Sequence, residues 1–126
     1  MNLKTMMIIK AVVCLVLGVP ILFAPVFTYS LFGTTLNTGG VLAARQYSAS
    51  IFGNMLVTWF ARNAVDSQAR RAIILDLCVY DAVGFVIALI AQLSGLLGPL
   101  GWIVVVVYLF FALGFGYFLL PHKEAA

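Results

Sequence analysis

Four ionisable side chains fall inside long apolar stretches of this 126-residue chain: Lys10, Arg45, Asp76 and Asp81. The amides Gln46, Asn54 and Gln92 share those stretches. A charge held among hydrocarbon is costly, roughly 2.5–3.5 kcal/mol at the centre of a bilayer, so such groups seek partners or mark a functional site. The chemistry open to this set is ion pairing, proton or cation binding, and hydrogen bonding between helices. Asp76 and Asp81 are five residues apart, about 140° around a helix, and do not by themselves form a paired-carboxylate catalytic site. Lys10, Arg45, Asn54, Asp76, Asp81 and Gln92 are therefore the candidate intramembrane polar site.

Little else in the chain could do chemistry. The single histidine, His122, lies in the C-terminal tail, which excludes bis-histidine haem ligation within one chain and a histidine-rich metal site. No phosphate-binding glycine loop, zinc-protease helix, nucleophile elbow or CxxC pair is present. Cys14 and Cys78 read as small apolar residues. No cofactor or metal is expected, and an enzyme is disfavoured.

The elements that must position these groups follow from composition. The chain is 64% hydrophobic and 9% charged, with a mean hydropathy of +1.15. Soluble domains are about a quarter charged, and so little charge could not cover a water-facing surface. A bilayer core of about 30 Å needs about 20 apolar residues per helix. Four stretches meet this, at about residues 6–27, 38–60, 72–94 and 99–120, and they leave room for only one domain, residues 1–126. Apolar runs such as residues 103–107 do not alternate as barrel strands would. The expectation is an all-α four-helix transmembrane bundle.

The first stretch has a rival reading as a secretory leader, since Lys4 and Lys10 precede an apolar core and Ala24 follows small and apolar residues. The run continues through Val26 and Phe27, which favours an uncleaved helix. Residues 28–37 mix turn formers with aromatics and suit a short interfacial helix. Residues 95–98 form a tight turn, making the third and fourth spans antiparallel neighbours.

Basic residues orient the bundle. Lys4, Arg62, Arg70, Arg71 and Lys123 fall on one side of four spans, and the opposite connections hold no Lys or Arg. By the positive-inside tendency both termini are cytoplasmic. Trp59 and Tyr117 then sit near the inner interface and Trp102 near the outer one. The net charge of +3 is this topology signal, and the scattered basic residues do not suggest nucleic-acid binding.

The third span carries two aspartates against about a dozen Leu, Ile, Phe and Val, each worth roughly 0.3–0.6 kcal/mol, so insertion is near break-even and the carboxylates must turn inward. Polar and small residues gather on one side of the second span (Arg45, Gln46, Ala49, Ser50, Gly53, Asn54) and of the third (Asp76, Tyr80, Asp81, Gly84, Ala88, Gln92). Packing of these two spans through those faces is expected. Rough depths at 1.5 Å per residue match Lys10 with Asp76 in the inner leaflet, put Asp81 near the midplane and Arg45 in the outer leaflet. Lys10 either pairs with Asp76 or snorkels; Arg45 reaches toward Asp81 or up to outer-loop carbonyls.

The order ILFAPVFTYSLFG, AARQYSASIFGN with WFAR, ARRAIILDLCVYDAVG, SGLLGPLGW and GFGYFL resembles a widespread group of small uncharacterised bacterial four-helix integral membrane proteins. Pro25, Gly33, Arg45, Gly53, Arg62, Asp81, Gly84, Gly101, Trp102 and Tyr117 carry the resemblance. It implies a bacterial inner membrane and this helix arrangement, and no activity. Three readings of function remain open. One is a non-catalytic accessory or self-associating membrane component. The second is a small homo-oligomeric transporter or channel using Asp81 and Arg45. The third is a module binding a lipid or isoprenoid. Membrane lipid, a second copy or a larger membrane complex are the expected partners.

Overall fold

The computed structural model describes residues 1–120, and His122 and Lys123 lie outside the described residues. The described residues form five helices and no strand: α1 (Leu3–Phe23), α2 (Pro25–Leu31), α3 (Thr38–Ala61), α4 (Gln68–Leu93) and α5 (Gly101–Leu119). Local chemistry sets the starts of the long helices. The Asn2, Asn37 and Ser67 side chains accept hydrogen bonds from the Thr5, Gly40 and Arg70 amides, satisfying otherwise unpaired helix donors.

The first helix ends earlier than the apolar run suggests. Ala24 precedes Pro25, whose ring excludes the helical conformation from its predecessor, and Ala24 adopts φ −139°, ψ 62°. The chain turns there and restarts as α2 with proline at its first position. The short helix expected within residues 28–37 is thus shifted toward the N-terminus. A close backbone approach joins the two connections at this end of the bundle: the Gly98 amide donates to the Phe32 carbonyl at 2.7 Å. Gly33, at φ +80°, lies against Gly98, where a side chain would meet backbone.

By length and composition α1, α4 and α5 can each cross a membrane. α3 is long enough at 24 residues but less apolar, because Arg45, Gln46, Asn54 and several Ser, Thr and Gly dilute it.

The helices pack as two pairs, α1 along α3 and α4 along α5. This corrects the expected packing of the second span on the third: α3 and α4 touch only loosely. The polar and small faces of those two helices therefore do not pack closely against each other. Between the pairs, α1 faces α4 and α5 through long side chains. Leu3, Met6, Met7, Ile74, Leu77, Phe111 and Phe115 form an apolar core with Ala61. Phe111 and Phe115 stack with ring centres 6.1 Å apart. A second core of Cys14, Ile21, Ala44 and Ile51 binds α1 to α3. Large apolar side chains on the outer faces stay exposed, among them Val16, Phe60, Ile87, Ile90 and Leu113, as suits a lipid surrounding.

Candidate functional site

The buried positions on α4 are Ile74, Leu77, Asp81 and Ala88, spaced by three, four and seven, a single inward stripe. Asp81 occupies that stripe and is fully buried. Asp76 precedes Leu77 by one residue, about 100° away, and is exposed. On α1 the buried stripe runs Leu3, Met6, Met7, Lys10, Ala11, Cys14, Gly18 and Ile21. Lys10 is part of it, with only 4% of its surface exposed.

Lys10 Nζ donates to Asp81 Oδ1 in a buried ion pair, the only salt bridge among the described residues. The expected pairing of Lys10 with Asp76 is not what the structure shows. The error lies in the assumed stagger. Leu3, Met6 and Met7 share a core with Ile74 and Leu77, so α4 starts well below α1 and each α1 residue lies level with one about 71 positions later. That register brings Lys10 to Asp81. The ammonium also lies 5.2 Å from the Tyr80 ring centre and 4.8 Å from that of Phe111, close enough for the ring faces to stabilise a cation. Oδ2 of Asp81 is buried with no hydrogen-bond partner.

Hydroxyl groups that were not among the candidates complete the centre. Tyr47 of α3 and Tyr108 of α5 hydrogen bond to each other through their hydroxyls. The Tyr80 hydroxyl lies 3.3 Å from Ser50 Oγ, which itself donates to the Tyr47 carbonyl. Gly84 makes the arrangement possible, since any Cβ there would overlap the Tyr108 ring. That glycine, one turn from Tyr80, was the sequence signal for a large ring arriving from another helix. The polar contacts between the two helix pairs are Lys10 with Asp81, Tyr47 with Tyr108 and Ser50 with Tyr80.

The remaining candidates are dispersed. Arg45 is exposed, and its Nε donates to the Leu22 carbonyl at 3.2 Å, the upward option. It does not meet Asp81. Gln92 Nε2 donates to the Gly98 carbonyl at 3.1 Å and holds the α4–α5 turn. Asn54 Nδ2 donates to the Ser50 carbonyl at 3.0 Å, while its Oδ1 is buried without a partner. Asp76 has no hydrogen-bond or ion-pair partner among the described residues. A cleft of about 430 Å³ lined by Gln68, Arg71, Ala72, Leu75 and Leu119 lies near the start of α4, about 15 Å along the helix from Asp81. Among the described residues no group of three or more His, Cys, Asp or Glu could hold a metal ion.

Compared with protein-family models, with curated proteins and with solved structures, the chain matches none.

Proposed function

We propose that this chain is a small non-catalytic component of a bacterial inner membrane, crossing it four times with both termini cytoplasmic and associating laterally with a second copy. The fourth crossing is α3. Its polar residues are tolerable because α1 covers one side of it and because Arg45 can lean toward the outer interface.

The observation that supports self-association is an exposed small and polar face on α3. Gln46, Ser50 and Gly53, spaced by four and three, are exposed along one side of α3. A second chain placed by two-fold symmetry about the membrane normal would lay this face of α3 against the same face of its copy. Small residues permit the close backbone approach that drives helix association in lipid. Membrane lipid covers the remaining apolar faces.

Gly53 makes the test clean, because a Cβ there meets nothing within 4 Å in a single copy. Light scattering of the protein in detergent and in nanodiscs is expected to give a dimer or higher oligomer. Gly53→Leu is expected to give a folded monomer. A monomeric wild type, or an oligomer indifferent to Gly53→Leu, contradicts this reading.

A further inference from the structure

The cleft beside the first turns of α4 changes character along its length. Gln68, Arg71, Ala72 and Leu75 line it from α4, and Leu119 lines it from the last turn of α5. At 100° per residue the four α4 positions fall within about 100° of one another and form one stripe. Along that stripe the polar side chains come first and the apolar ones follow, deeper along the helix. α4 has 26 residues and is thus about 39 Å long, against about 30 Å for the hydrocarbon core of a bilayer. Its first turn, as far as Arg71, reaches the headgroup level, and Leu75 lies one turn deeper among acyl chains.

Arg71 Nη2 donates to the Leu119 carbonyl at 3.2 Å, which ties the guanidinium to the α5 wall of the cleft. That is the one hydrogen bond of its side chain among the described residues, and no carboxylate there pairs with it. The acids nearest in sequence, Asp66 and Asp76, do not line the cleft. The other arginines at this end of the bundle are engaged elsewhere. Arg62 Nη1 donates to the Trp59 carbonyl, with the guanidinium 3.9 Å from the Trp59 ring centre. Arg70 Nη1 donates to the Ala64 carbonyl at 3.3 Å.

We propose that this cleft binds one anionic phospholipid, its phosphate on Arg71 and Gln68 and an acyl chain along Ala72, Leu75 and Leu119. Arg71 supplies a cation without a protein counter-charge and with guanidinium donors to spare, the geometry that suits a phosphate oxygen. The apolar wall one turn deeper is where a chain hanging from that phosphate runs. A zwitterionic lipid would bring its own ammonium to the same cation, so the negative headgroup is the one selected. This inference rests on the reading of α4 and α5 as membrane crossings and does not depend on the oligomeric state.

The test is native mass spectrometry of the full chain in detergent, titrated with phosphatidylglycerol or with phosphatidylcholine bearing the same acyl groups. The first phosphatidylglycerol is expected to bind at least about fivefold more tightly than the first phosphatidylcholine, the contribution of about one basic side chain near an anionic lipid. Arg71→Gln is expected to remove that preference. Arg62→Gln, the same loss of charge at the same end of the bundle, is expected to keep it. Ala72→Phe fills the cleft without changing any charge and is expected to weaken phosphatidylglycerol binding as Arg71→Gln does. No preference in the wild type, equal losses in Arg71→Gln and Arg62→Gln, or undiminished binding in Ala72→Phe would each overturn the proposal, the second by assigning the effect to diffuse surface charge. A change in the number of chains per particle on Arg71→Gln would give the cleft to a second copy and overturn it as well. A chain that stays dispersed without detergent would instead overturn the membrane reading on which the site rests.

Discussion

Replacing Lys10 alone and then together with its partner should give opposite effects. Lys10→Met keeps most of the stem volume beside Met6 and Met7 and removes the ammonium from a pair that is 4% and 0% exposed. Asp81 is left as a buried carboxylate without its counterion, and breaking such a pair from one side costs about 3–5 kcal/mol. At about 1.4 kcal/mol per tenfold, the folding equilibrium falls by roughly two to three and a half orders of magnitude. Asp81→Leu should cost a similar amount, leaving Lys10 to its two aromatic rings. The double variant Lys10→Met with Asp81→Leu replaces both charges by apolar groups of similar size. Such replacements are often neutral, or stabilising by about 1–4 kcal/mol. Reversible unfolding in bicelles, followed by circular dichroism, yields the four stabilities and hence the coupling of the pair. If the double variant is as unstable as the two singles added together, the two side chains do not act as one unit. If Lys10→Met costs less than about 1 kcal/mol, the ammonium is not buried as described.

Other consequences follow from the packing. Gly84→Leu would drive a side chain into the Tyr108 ring and is expected to destabilise by at least about 1–3 kcal/mol in the same unfolding assay, the range for overpacking a filled core. Gly53→Leu is expected to leave that stability within about 0.5 kcal/mol, as for surface changes away from special features, while abolishing association in light scattering. Arg45→Leu removes a bond to one exposed carbonyl and should change stability by no more than about 1.5–3 kcal/mol.

The helical architecture is legible in the sequence because lipid demands uninterrupted apolar runs, and runs of 20 residues leave no room for other solutions. Helix ends are legible where a capping side chain stands at the boundary, as at Asn2, Asn37 and Ser67, and less so at Ala24, where the apolar run hides the effect of Pro25. The inward direction of Lys10 and Asp81 is readable from their place on buried stripes. Their pairing is not, because it depends on the stagger between α1 and α4, a tertiary quantity set by how far the chain runs before each helix enters the bundle. The same limit applies to α3 and α4. Both gather small and polar residues on one side, but the apolar residues on their other sides pack so well with α1 and α5 that the two helices are drawn apart. Tyr47 and Tyr108 escape notice in sequence because a tyrosine in an apolar helix looks like any large ring until its hydroxyl finds a partner.

Whether α3 crosses the membrane decides most directly whether lipid surrounds this bundle as described. Thr35 precedes α3 and Asp66 follows it, and both are exposed. With cysteine placed at one position at a time in otherwise cysteine-free protein, a membrane-impermeant thiol reagent added to intact cells should label Thr35→Cys and leave Asp66→Cys unlabelled until the membrane is opened. Labelling of both from the same side would place α3 outside the bilayer and contradict the four-crossing account.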